Sequence, residues 1–135
     1  MADTKSPAPR PLSPHLQIYK PMLTMMMSIV HRITGSALYI GSLGLVWWLI
    51  AAASGPAYFD FVQGVFGSVL GQLALLFYVW ALIHHMLGGL RHFVWDTGHG
   101  FELPSVELMA RASLAGSLLL TALIWVYVQF MMAGA

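Results

Sequence analysis

The sequence contains no cysteine. That excludes disulfides, thiolate zinc sites and Cys-ligated iron–sulfur clusters from this chain. Charge is nearly as scarce: only 8% of the 135 residues are Asp, Glu, Lys or Arg, against about 25% in an ordinary globular domain. So few charges cannot cover the surface of a water-soluble domain of this size. The net charge of +1 offers no basic face for a nucleic acid. A signal-peptide core is missing before Lys20, and Asp3 is out of place in a transit peptide. The first hydrophobic helix is therefore expected to act as its own insertion signal, and a bacterial inner membrane is expected rather than an organelle.

Apolar residues are abundant, at 59%. Lipid accommodates such a composition, because there the outside of a fold can be apolar. Residues 1–20 are polar and hold Pro7, Pro9, Pro11 and Pro14. Proline lacks an N–H and disfavours helix in the residue before it, so an irregular arm is expected there. The rest, residues 21–135, reads as one transmembrane domain. A spanning helix takes about 20 apolar residues, and three segments supply them, at about residues 22–53, 66–90 and 112–133. Pro21 suits a first helical turn, Ser54-Gly55-Pro56 ends the first helix, and Gly98, Gly100 and Pro104 mark the last loop. The expected fold is all-α, an integral membrane protein with three transmembrane helices.

Orientation follows from the basic residues. Lys5, Arg10 and Lys20 precede the first helix, Arg32 lies near its start, and Arg91 and Arg111 flank the loop between the second and third helices. The positive-inside rule puts the N-terminus and the 91–111 loop in the cytoplasm, and residues 54–60 and the C-terminus outside. Trp47, Trp48, Tyr58 and Phe59 then fall near the outer interface and Trp95 near the inner one.

Ionisable groups inside a membrane are costly and usually functional. Here they gather at the cytoplasmic ends of the first two helices. His85 lies six residues inside Arg91, roughly 9 Å deep at 1.5 Å per residue. His92 shares its face seven residues on, and Gly89, four residues on, removes bulk from it. Such a gap suits a flat macrocycle whose iron takes a neutral imidazole, with Arg91 and His92 able to meet carboxylates. The plain alternative is a histidine hydrogen-bonded to a neighbouring helix. Ser28 and Arg32 are four apart on one face of the first helix, beside His31. Arg32 suits an anion or polar ligand there, or simply marks the interface by snorkelling. Asp96, His99 and Glu102 read as a solvated loop.

Three motifs stand in order: Arg10-Pro11-Leu12-Ser13-Pro14-His15-Leu16-Gln17-Ile18-Tyr19, Ser28-Ile29-Val30-His31-Arg32-Ile33-Thr34-Gly35, and His85-x-x-x-Gly89-x-Arg91-His92-x-x-x-Asp96. Together they resemble the cytochrome b556 subunits of succinate dehydrogenase (complex II), over roughly residues 10–130. The resemblance implies a membrane anchor that pairs with a second small three-helix subunit in a heterodimeric bundle. That pair carries an iron–sulfur subunit and a flavoprotein subunit, with one haem b between the two anchors and ubiquinone as the electron acceptor. It makes Ser28 and Arg32 quinone-site residues and His85 the axial ligand of the haem iron. His31, Arg32 and His92 become the haem propionate neighbourhood. His84 stands one step off the motif, and replacing it is expected to change little.

A six-coordinate haem needs a second axial ligand. The third helix has no histidine, and its Met131 and Met132 lie at the outer end; His31 and Met25–Met27 are shallower than His85. The second ligand is therefore expected on the partner. The chain alone has no flavin- or cluster-binding residues and is expected to be inactive by itself. Two other readings remain open, a quinol-oxidising fumarate reductase anchor and a haem-free structural subunit.

Overall fold

The computed structural model describes residues 14–134. The arm expected over residues 1–20 thus falls outside the described residues as far as Ser13. From Pro14 it is not wholly irregular, because His15–Ile18 forms one helical turn, α1. Four longer helices follow: α2 (Leu23–Ser54), α3 (Pro56–Gly67), α4 (Val69–Asp96) and α5 (Leu103–Ala133). There is no strand among the described residues. Three helices, α2, α4 and α5, are long and apolar enough to cross a membrane. Helix α4 is central and packs against both α2 and α5.

The exterior and interior are inverted relative to a soluble domain. Exposed positions are crowded with Leu, Ile, Val and Phe, among them Ile40, Leu70, Phe77, Leu119 and Phe130. The buried set is half polar: Thr34, His84, Arg91, Ser113, Ser117 and Thr121 stand beside Met27, Ala51, Val62, Ala81, Ile83 and Ala110. In lipid there is no hydrophobic drive between helices. Small side chains that let backbones approach, and hydrogen bonds across the contact, hold the bundle instead. Ser113, Ser117 and Thr121 recur every four residues and so line one stripe of α5.

Two connections differ from the expected ones. Residues 54–60 are not an open loop. Gly55, at a φ of 117° that side chains rarely adopt, turns the chain directly into α3, with Pro56 in its first turn. Helix α3 packs on the last turns of α2, where the Trp47 indole donates to Tyr58 Oη at 2.8 Å and the Trp48 indole to Gln63 Oε1 at 2.9 Å. The apolar run that begins at Phe61 is then broken at Ser68, which is extended and caps α4 by accepting from the Gly71 amide at 3.1 Å. Gly71 has no room for a side chain, because a Cβ would collide with the backbone of Val65 and Phe66. At the other end α4 runs past Leu90 to Asp96 and α5 starts at Leu103, so the turn is only residues 97–102. Gly98 and Gly100, at φ 81° and 78°, make that turn, and the Trp95 indole ties it by donating to Gly100 O at 3.1 Å.

Candidate functional site

The site residues gather where α2 passes α4, at the end of the bundle that carries Arg32, Arg91 and Arg111. His85 points from α4 towards α2. Its Nδ1 lies 3.1 Å from the carbonyl oxygen of His31 and 3.4 Å from Thr34 Oγ1. The Thr34 hydroxyl hydrogen is already given to that same carbonyl, at 2.9 Å. Both neighbours of Nδ1 are therefore acceptors, and Nδ1 must carry the ring proton. That leaves Nε2 as the nitrogen not engaged by α2. Among the described residues Nε2 has no hydrogen-bond partner, yet it is not one of the buried polar atoms. His85 is thus half-buried, with Nδ1 tied to α2 and with Nε2 unpartnered and not fully buried.

Glycine makes this arrangement possible. Gly35 of α2 lies under the His85 ring; a Cβ there would come within 2.9 Å of Cε1. His31 stacks on His85, with ring centres 4.0 Å apart and planes 3° from parallel. The His31 ring sits over Gly88, where a Cβ would collide with it. A Cβ at Gly89 would meet nothing within 4 Å. The two adjacent glycines therefore do different things: Gly88 admits the neighbouring helix, and Gly89 leaves a gap outside it.

The rings continue outward, with His31 to His92 at 5.6 Å and His92 to Trp95 at 5.2 Å. His31 Nδ1 is buried without a partner. Arg91 is buried to 8% exposure; its Nε has no partner, and its guanidinium carbon lies 5.8 Å from the centre of the Trp95 ring. Among the described residues the one ion pair is Arg111–Glu107, so Arg91 has no carboxylate. Ser28 and Arg32 lie on the exposed flank of α2, and Arg32 likewise meets no carboxylate among the described residues.

His84 is placed quite differently. It is fully buried and faces α5, with Nδ1 3.2 Å from Ser117 Oγ. Its Nε2 is buried without a partner, as is the indole nitrogen of Trp80, whose ring centre is 5.3 Å away. The expectation that His84 is dispensable does not survive this burial. Removing a buried ring that bonds a second helix leaves a cavity and takes away the bond that ties Ser117 Oγ to α4.

The structure thus brings together His31, His85 and His92, and sets Ser28 and Arg32 on an adjacent, open flank. Thr34 and Ser117 were not singled out from the sequence. One signal pointed to Thr34, which lies three residues after His31 and so on the same face. No local signal pointed to Ser117.

The comparisons with known proteins agree on one family. Residues 6–124 match the family described as succinate dehydrogenase/fumarate reductase transmembrane subunit. The chain is 44% identical over 114 residues to the succinate dehydrogenase cytochrome b556 subunit of Paracoccus denitrificans, covering 84% of this chain and 88% of that one. It is 38% identical over 117 residues to the cytochrome b556 subunit of Rickettsia conorii, covering 87% and 91%. It is 42% identical over 101 residues to the mitochondrial cytochrome b560 subunit of Mus musculus, covering 73% and 60%.

Proposed function

The chain belongs to the succinate dehydrogenase/fumarate reductase transmembrane subunit family, and from that premise we propose that it holds haem b through His85 and forms part of a ubiquinone-reduction site with Ser28 and Arg32. Membership makes it a non-catalytic membrane subunit of a succinate:quinone oxidoreductase complex. The matched relatives are named for succinate dehydrogenase, which favours quinone reduction over the reverse direction.

The observation that carries the haem reading is the state of His85. Metal-bound histidines commonly donate their other N–H to a backbone carbonyl, which fixes tautomer and ring direction. His85 Nδ1 does so with His31 O, and Nε2 is free. Other features fit the same group. The open space at Gly89 suits the edge of a macrocycle. The unpaired Arg91 and the exposed His92 and Arg32, beside His31, offer donors for its carboxylates. A bound haem supplies reversible one-electron storage.

His31 is a poor second ligand. Its ring is stacked face to face on His85, on the same side of the site, and its Nδ1 is buried at the helix contact. The second ligand then comes from another chain, which makes haem binding and pairing with a second small anchor subunit mutually stabilising. The iron–sulfur and flavoprotein subunits dock on the same basic end, which the positive-inside rule puts in the cytoplasm. A reporter fused beyond α5 is then active only outside.

For the quinone, Ser28 supplies a hydroxyl donor and Arg32 a positive potential, four residues apart on a flank that α4 and α5 leave open. Donors fixed in a poorly solvated site stabilise negative charge as it builds on a quinone oxygen.

The deciding experiment is His85→Ala in the complex purified from membranes. The low-spin haem spectrum should be lost, while succinate oxidation by an artificial dye, which takes electrons upstream, persists. A full haem spectrum in His85→Ala would sink the assignment.

A further inference from the structure

His84 and His85 are consecutive residues of α4, so their side chains leave the helix about 100° apart. Each is tied to a different neighbour. His85 Nδ1 donates to His31 O on α2 at 3.1 Å. His84 Nδ1 lies 3.2 Å from Ser117 Oγ on α5. The Ser117 hydroxyl hydrogen goes to Leu114 O at 2.9 Å, so Oγ accepts and His84 Nδ1 carries the proton. Both rings therefore donate from Nδ1, and together they tie α4 to its neighbours on two sides.

The two ties differ in their surroundings. On the α2 side the His85 and His31 rings fill the places of the missing side chains of Gly35 and Gly88, and the open space at Gly89 lies beside them. The α5 side is closed: His84 and Ser117 are both fully buried, and Thr121 Oγ1 donates to Ser117 O at 2.7 Å. Any rotation of α4 swings the His85 ring, and on the α5 side the side-chain bond that resists such rotation is His84–Ser117. We propose that His84 is a positioning residue. By bonding Ser117 it sets the rotation of α4, and with it the direction of the His85 Nε2 lone pair. The inference rests on the reading of His85 as the haem ligand. His84 does not itself compete for iron, because its own Nε2 is buried beside Trp80.

The test compares His84→Leu, His84→Asn and Ser117→Ala in the whole complex. The readouts are haem per flavin, the haem midpoint potential and the g-values of the low-spin signal. The asparagine amide nitrogen stands the same number of bonds from Cα as Nδ1, so His84→Asn keeps a donor for Ser117. His84→Leu keeps bulk without a donor, and Ser117→Ala removes only the acceptor. We expect His84→Leu and Ser117→Ala to shift the largest g-value and the potential in the same direction. Haem affinity should fall about ten-fold, as for other groups that orient a metal ligand. His84→Asn should stay near wild type. Wild-type spectra in both His84→Leu and Ser117→Ala, or an asparagine variant that behaves like leucine, would overturn the proposal. Should His84→Leu fail to assemble, Ser117→Ala decides alone. A haem retained in His85→Ala would instead overturn the ligand assignment itself, a separate result from these.

Discussion

Along α4 the contact with α5 is closed and the contact with α2 is open. Between α4 and α5 one side-chain bond crosses, His84 to Ser117, while Ser117 donates to Leu114 O and Thr121 to Ser117 O within α5; His84 Nε2 and the Trp80 indole nitrogen stay buried without partners. Between α4 and α2 the rings of His31 and His85 stack over glycines, His31 Nδ1 has no partner, and His85 Nε2 is unpartnered and not fully buried. Arg91 and Arg32 meet no carboxylate among the described residues. Buried polar atoms without partners thus occur at both contacts, each costing free energy in lipid; what differs is access, since His84 Nε2 is buried and His85 Nε2 is not. The difference teaches that accessible unmet bonding capacity, more than polarity or burial, distinguishes the α2 contact from the α5 contact.

The largest effect that would sharpen this contrast is kinetic. Ser28 lies on the open flank of α2, away from α5. If it donates to the reacting quinone, Ser28→Ala should slow quinone reduction by about 100-fold, equivalent to about 3 kcal/mol of transition-state stabilisation. Dye-linked succinate oxidation should be untouched. Equal loss of both activities would mean that Ser28 is needed for assembly instead.

The next effect compares the same change in the two contacts. Gly88→Ala puts a methyl group into the His31 ring, which stacking on His85 holds in place. Overpacking of this kind costs about 1–3 kcal/mol, more than the gain of up to about 1 kcal/mol from replacing a helical glycine. Gly116→Ala, on the α5 side, meets only Leu87 Cδ1 at 3.4 Å, a flexible end that can yield. Thermal unfolding of the complex in detergent should fall for Gly88→Ala and stay level or rise for Gly116→Ala. Similar shifts for both would erase the distinction between the contacts.

Much of the molecule was legible in the sequence, and for a physical reason. Span length and hydropathy are set by bilayer thickness, so the three long helices follow from composition. What hydropathy cannot encode is rotation and interruption. The run from Phe61 to Leu90 carries no charge or proline, and the break that separates α3 from α4 rests on Ser68 and on the lack of a Cβ at Gly71. Likewise His84 and His85 look equivalent in the sequence. Which one faces α5 depends on how α4 is rotated, and that is settled by residues far along the chain, Thr34 and Ser117. The motif spacing pointed to His85; the packing supplies the reason that its neighbour differs. Arg91 and His92, paired in the sequence as carboxylate-binding candidates, also part company: Arg91 is buried and His92 is exposed.

The smallest effect on the chain itself is the most pointed test of the open face. A Cβ at Gly89 would meet nothing within 4 Å, and alanine is the better helix former by up to about 1 kcal/mol. Gly89→Ala should therefore leave folding and membrane insertion of this chain unchanged or slightly improved. Yet Gly89 lies one helical turn from His85, on the side where a haem bound at His85 would lie. In the assembled complex the added methyl should lower the haem content relative to flavin, or shift the haem potential, although it disturbs no contact within the chain. Gly88→Ala and Gly89→Ala then separate cleanly: the first weakens the helix contact, and the second touches only what the chain binds. Normal haem loading in Gly89→Ala would show that the gap is unused, and that the macrocycle edge lies against another face of α4.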